Sequence, residues 1–164
     1  MKVLYNNRYG GFGISLFAVL KLMERDRDIL AVYKRDSESS DTYTRVKPKD
    51  AQGIHSWLCR CDLIFTENYR NVDSISQKYI DEHPNIIMHP NKMYEKFGSP
   101  NSLRFNKKLI ALFEKYGSEK ISGESAELEI EEVPKGWMFK IEERDGLESI
   151  HQFCPDEDCY YAYE

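Results

Sequence analysis

The alternation of apolar and polar positions divides this chain into segments of two different periods. Residues 2–6 begin as a short apolar strand around Val3-Leu4-Tyr5. A helix-period stripe of Leu16, Leu20 and Met23 follows, broadened by Phe17 and Val19. Ser15 stands at the position expected for that helix's N-cap. Ile29-Leu30-Ala31-Val32-Tyr33 predicts a second strand, and residues 62–66 predict a third. Between them, residues 34–53 are polar and predict a surface loop, with Tyr43 to Val46 extended inside it. Val72 to His83 has helical character ended by Pro84, and Ile86-Ile87-Met88 fits strand or helix equally.

Pro100-Asn101-Ser102 opens the clearest second helix. Its stripe is Leu109, Ile110, Phe113 and Tyr116, and Gly117 sits where a left-handed C-cap falls. Ala126, Leu128 and Ile130 then alternate with Glu127, Glu129 and Glu131, the pattern of a half-exposed strand. After Pro134-Lys135-Gly136 the alternation resumes at Trp137, Phe139 and Ile141. Asp145-Gly146 is a hairpin-turn signal, with Leu147 to Phe153 as the returning strand. This order predicts one α+β domain over residues 1–164, with a mixed or antiparallel sheet, two main helices and a C-terminal β-hairpin. Residues 154–164 form an aromatic and acidic tail, with Tyr160, Tyr161 and Tyr163 near its end.

Composition narrows the class. With 164 residues, 41% of them hydrophobic and 31% charged, the chain is long enough for a real core and reads as a soluble globular protein. No apolar run reaches the roughly 18 residues of a membrane span, so no membrane partner is expected. The apolar stretch 14–23 is followed by Glu24-Arg25-Asp26-Arg27 and not by a small-residue cleavage site, which predicts the cytoplasm. The net charge of −5 is uneven: residues 124–164 carry thirteen acids against Lys135, Lys140 and Arg144, leaving the rest of the chain net positive. That split favours an anionic ligand on the N-terminal portion, or attraction between the two portions. A pI near 5.5 and the lack of a basic tract interleaved with aromatics argue against nucleic acid. Cys59, Cys61, Cys154 and Cys159 are spaced C-x-C and C-x4-C, not as a zinc knuckle, and read as free thiols. No metal and no cofactor is expected.

Candidate chemistry begins at Tyr5-Asn6-Asn7-Arg8-Tyr9-Gly10-Gly11-Phe12-Gly13-Ile14-Ser15. Strand, glycine turn and helix in this order can direct backbone N–H groups at an anion. Arg8 would add a charge-assisted contact, and Tyr9 and Phe12 can stack on a base. No lysine follows the glycines, which excludes a P-loop, and the spacing is not G-x-G-x-x-G. The same glycines serve equally as a tight turn. Glu142, Glu143, Asp145 and Glu148 gather near His151, a set suited to a divalent metal or to acid–base work, or simply to a wet strand face. Arg104 either pairs with an acid of the C-terminal segment or joins Arg8 in an anion clamp. No Ser–His–Asp order, HExxH element or kinase-like set occurs.

The glycine block resembles the opening N-x-x-[YF]-G-G-F-x-[LI]-S of a family of small, largely uncharacterised proteins of bacteriophages and other large-genome viruses. Arg104-Phe105-Asn106-Lys107-Lys108-Leu109-Ile110 is similar to that family's R-x-[DN]-x-x-L-[IV] segment. Trp137 through Ile141-Glu142-Glu143, Asp145-Gly146 and Glu148-Ser149-Ile150-His151 resemble its W-x-I-x-E-x-D-G-x-E-x-I-H ending. The resemblance implies a virus-encoded accessory protein of the host cytoplasm and brings no activity with it. The expected function is non-enzymatic sequestration of a phosphate-bearing small molecule, such as a nucleotide or a nucleotide-derived host defence signal. Its ligand-binding residues would be Arg8, Tyr9, Gly10, Gly11, Phe12, Gly13, Ser15, Arg104, Asp145, Glu148 and His151. One alternative is an inhibitor that binds a host protein through the aromatic tail and acidic hairpin. A second is a small hydrolase using Glu142, Asp145, Glu148 and His151. A homo-oligomer is compatible with each.

Overall fold

In the computed structural model, which describes residues 1–23, 30–51, 63–67, 72–84 and 100–154, short antiparallel strands alternate with short helices. The first half runs β1 (Lys2–Asn6), α1 (Leu16–Met23), β2 (Leu30–Arg35), β3 (Thr42–Arg45), a 3-10 turn (Pro48–Asp50), β4 (Leu63–Glu67), β5 (Ser74–Ser76) and α2 (Gln77–Glu82). The second half runs α3 (Pro100–Leu103), α4 (Lys107–Tyr116), α5 (Ser118–Ile121), β6 (Leu128–Glu132), β7 (Met138–Arg144) and β8 (Leu147–Phe153). The class is α+β with the C-terminal hairpin. Every described strand pair is antiparallel, and the strands divide among three small sheets. Backbone proximity groups the chain into two compact units, one of Met1–Ile14 with Pro100–Glu164 and the other of Ser15–Ser99.

In the Ser15–Ser99 unit the strand order is β4-β2-β3-β5. Ala31, Val32 and Tyr33 of β2 are all buried, which is why this strand reads as an unbroken apolar run. Ala31 and Tyr33 pack with Tyr43, Ile75 and Ile80. The segment 34–53, expected as a polar loop, holds β3 and the 3-10 turn. Tyr43 brings it inward, its hydroxyl donating to Gln77 Oε1 (2.7 Å) and accepting from Arg35 Nε (2.9 Å). The helix expected over Val72 to His83 is confined to α2, because Ser74-Ile75-Ser76 alternates exposed, buried, exposed as β5 against β3. Ser76 caps α2 by accepting from the Tyr79 N–H (3.2 Å). Ser15 caps α1 as its sequence position predicts, accepting from the Ala18 N–H at 3.1 Å.

In the other unit β1 pairs with β6, and Val3, Leu4, Leu103, Leu109, Ile121, Leu128 and Val133 are fully buried. Asn106 caps α4, its Oδ1 accepting from the N–H groups of Lys108 (2.9 Å) and Leu109 (3.2 Å), and Gly117 ends it at φ 79°. Lys2 on β1 bonds Glu114 on α4. Asp145 (φ 53°) and Gly146 (φ 85°) close the β7–β8 hairpin in two residues, with Arg144 opposite Leu147. Among the described residues no helix is long and apolar enough to cross a membrane. The expectations for Ile86-Ile87-Met88, for Cys59, Cys61 and Cys159, and for the tail from residue 155 onward lie outside the described residues.

Tyr5 lies directly opposite Glu129 across β1 and β6, and its hydroxyl donates to Glu129 Oε2 at 2.6 Å. Partial burial, reinforced by that carboxylate, pushes the Tyr5 phenol from 10.0 up to about 12. The unfolded chain releases this proton near the ordinary value, whereas the folded chain keeps it until about pH 12. Stability therefore falls as pH rises through that interval. Urea midpoints measured across it should drop more steeply for the wild type than for Tyr5→Phe. Equal slopes would remove the Tyr5–Glu129 contact from the account.

Candidate functional site

The site is assembled around Asn6, the last residue of β1, which is wholly buried. Its backbone N–H donates to Glu148 Oε2 (2.8 Å). Its Nδ2 donates to the carbonyls of Arg8 and of Gly146 (2.6 Å), and its Oδ1 accepts from the Glu127 N–H (2.8 Å). An amide side chain alone offers two donors and an acceptor at one point, so a carboxylate here would face two carbonyls. Asn6 thus ties the glycine loop, the hairpin turn and the entry to β6 together. Sequence reasoning did not select it; its one signal was its place at the head of the N-x-x-[YF]-G-G-F pattern.

Gly10 and Gly146 are required by close backbone approach, and Gly11 by its positive φ. Gly10 and Gly11 have φ of 132° and 84°. The Gly10 N–H donates to the Asp145 carbonyl at 3.3 Å. A Cβ on Gly146 would lie 2.2 Å from the Gly11 nitrogen and 2.6 Å from the Gly10 nitrogen, and one on Gly10 would lie 2.3 Å from the Ser125 carbonyl oxygen. Gly13 accepts from the Gly123 N–H at 2.9 Å through its carbonyl. The expected cradle of free N–H groups is therefore not built from Gly10, because its donor is engaged by Asp145. Ser15 belongs to the α1 cap.

Arg104 and Glu148 are buried, at 6% and 4% exposure. The guanidinium grips the carboxylate with both terminal nitrogens, Nη1 on Oε2 and Nη2 on Oε1 (2.6 Å). The guanidinium carbon lies over the Phe12 ring, 4.3 Å from its centroid. The Arg104 carbonyl accepts from the Leu4 N–H (3.0 Å), so this residue also holds the outer edge of β1. Of the two sequence alternatives for Arg104, pairing with a C-terminal acid is the one present. The clamp with Arg8 is not assembled, because the Arg104 charge is neutralised out of water. Arg8 and Tyr9 are exposed, Tyr9 at 64%, and neither side chain has a partner among the described residues.

The acidic hairpin splits across its two faces. Residues directly opposite share a face, so Glu148 lies with Glu143, Ile141 and Ile150 on one side. Glu142, Ser149 and His151 lie on the other. There Glu142 Oε1 accepts from Lys140 Nζ (2.9 Å), and His151 Nε2 lies 3.3 Å from Glu142 Oε2 and 3.2 Å from Ser149 Oγ. The Lys140 ammonium, with His151 beside it, holds the Glu142 carboxyl below its usual range. Glu142, Asp145, Glu148 and His151 are thus not brought together, since Glu148 turns inward to Arg104. Among the described residues no group of three or more His, Cys, Asp or Glu is placed to hold a metal ion. Comparison with protein-family models, with curated proteins and with solved structures yields no match to this chain.

Glu148→Gln leaves the Arg104 charge buried without its counterion and should cost about 3–5 kcal/mol in urea denaturation. Replacing both partners, as Arg104→Met with Glu148→Leu, should cost less than either single change. Additive losses would show that the two side chains act independently. Gly146→Ala should destabilise by more than about 1 kcal/mol, from its positive φ and from its collision with the glycine loop.

Proposed function

We propose that this protein is a non-enzymatic binding protein that holds a phosphate-bearing small molecule, such as a nucleotide, on the loop around Arg8 and Tyr9. The observation that carries this reading is the contrast within that loop. Its backbone is fixed from behind by Asn6, Asp145 and Gly146, while the adjacent Arg8 guanidinium and Tyr9 ring stay exposed and without partners among the described residues. Function concentrates on loops held by a rigid scaffold, and a loop already ordered loses little entropy on binding. Arg8 supplies a planar, permanently charged fork for phosphate oxygens, and Tyr9 supplies a face for a base. Arg104, Glu148, Asp145 and the glycines then act as supports of the loop and not as ligand contacts. The split of the acidic hairpin across two faces favours holding a ligand over turning it over. The resemblance of both terminal blocks to viral accessory proteins supports a role in host cytoplasm, with a nucleotide-derived defence signal as the ligand class.

Thermal-shift and calorimetric titration against a panel of linear and cyclic nucleotides tests the reading. A ligand at one hundred times its Kd should stabilise the protein by about 2.7 kcal/mol. Arg8→Ala should weaken binding at least about tenfold, in line with the worth of a charge-assisted hydrogen bond, without changing ligand-free stability. A panel that yields no shift would overturn the proposal, as would an Arg8→Ala protein that binds normally.

A further inference from the structure

Among the described residues, the outer edge of β7 has no neighbouring strand. Positive φ at both Asp145 and Gly146 makes Arg144 and Leu147 the closing hydrogen-bonded pair. Counting back by twos, Glu142, Lys140 and Met138 direct their backbone groups to β8. Phe139, Ile141 and Glu143 direct theirs away from it. No backbone or side-chain group among the described residues bonds these outward N–H and C=O groups. The other ribbon of this unit is treated differently. On β1, the Leu4 N–H is taken by the Arg104 carbonyl and the Asn6 N–H by Glu148. On β6, Ser122 Oγ accepts from the Leu128 N–H, Ser118 Oγ donates to the Leu128 carbonyl, and Gln152 Nε2 donates to the Glu132 carbonyl. An open edge of this length is a template for another strand.

We propose that this edge is a self-association surface, on which two copies of the chain pair β7 to β7, antiparallel, about a two-fold axis at Ile141. The charge pattern selects the partner and the register. With Ile141 opposite Ile141, the outward groups of Phe139, Ile141 and Glu143 all find partners, and Lys140 faces the second copy's Glu142 twice over. These are the non-hydrogen-bonded positions, where opposed residues approach most closely, about 4.5 Å between Cα atoms. Backbone polarity allows registers only in steps that move the axis by one residue. Centring on Lys140 sets lysine against lysine. Centring on Glu142 sets glutamate against glutamate and Lys140 against Arg144. Of these three registers only the one at Ile141 is complementary, and its contact is isologous as a two-fold dimer requires. Lys140 and Glu142 already meet within one copy, at 2.9 Å on the exposed face, so both are in place before association.

Sedimentation velocity of the full chain over a range of concentrations tests the proposal. A reversible dimer is expected, weakened by salt. Lys140→Glu and Glu142→Lys should each raise the dimer Kd about tenfold, since each converts two opposite-charge pairs into like-charge pairs. The double reversal K140E/E142K should restore it, with circular dichroism confirming the fold of every variant. Amide exchange on the wild type should show Phe139, Ile141 and Glu143 gaining protection with concentration. A chain that stays monomeric up to its solubility limit overturns the proposal. So do single reversals without effect, a double reversal without rescue, or protection that appears elsewhere.

Discussion

The buried Arg104–Glu148 pair is the constraint on which the unit carrying the glycine loop depends. Two opposite charges at 6% and 4% exposure can stay folded only if each satisfies the other. The carboxylate accepts from both terminal guanidinium nitrogens and from the Asn6 N–H, and the cation lies over the Phe12 ring. A pair of this kind seldom adds much net stability over an apolar replacement, so its consequence is geometric. It fixes β8 against the segment entering α4, and through the Arg104 carbonyl it fixes β1 at Leu4. Asn6 carries the constraint onward to Arg8, Gly146 and Glu127. Segments from the two ends of the chain are held at one point by side chains that would each be costly to leave alone.

Much of the secondary structure was legible because local chemistry decides it. The Ser15 cap, the Gly117 terminus, the period-2 strand at Leu128 and the Asp145-Gly146 turn each answer a local requirement for a donor, an acceptor or a positive φ. The extended run expected within the polar segment is β3, held inward by Tyr43 and followed by buried Val46. The misread stretch is Ser74–Ser76, where buried Ile75 between two exposed serines makes a short strand although a helical period was expected. The division into three sheets was not legible either. Alternation reports that a face is buried and is silent about which strand lies alongside.

The site was legible in outline and not in its assignments. The glycine block and the hairpin block were each singled out for candidate chemistry, and they meet at the Gly10 N–H and the Asp145 carbonyl. The role of Glu148 was hidden because a carboxylate in an acidic stretch reads as solvent-facing. Only the strand parity that sets it opposite Glu143, away from Ser149 and His151, turns it to Arg104. Asn6 was hidden because a polar residue at a strand end is unremarkable until all of its hydrogen-bonding groups are seen to be filled.

Glycine signals are ambiguous for a physical reason, and the ambiguity decides which groups remain to bind anything. A missing Cβ lets a ligand approach backbone N–H groups, and it equally lets another backbone approach. Here the second use is realised, since Gly146 stands against Gly10 and Gly11 at distances no Cβ would tolerate. The donor of Gly10 is engaged internally as a result, so under the proposed function recognition on this loop would fall to side chains. Arg8 and Tyr9 are the ones left outside the network, one offering charge and the other a ring. A site of that composition differs from an N–H cradle in what it selects. With the function proposed above, it would discriminate by the charge and the flat face of its ligand, and it would depend on the Arg104–Glu148 pair only through the position of the loop that carries it.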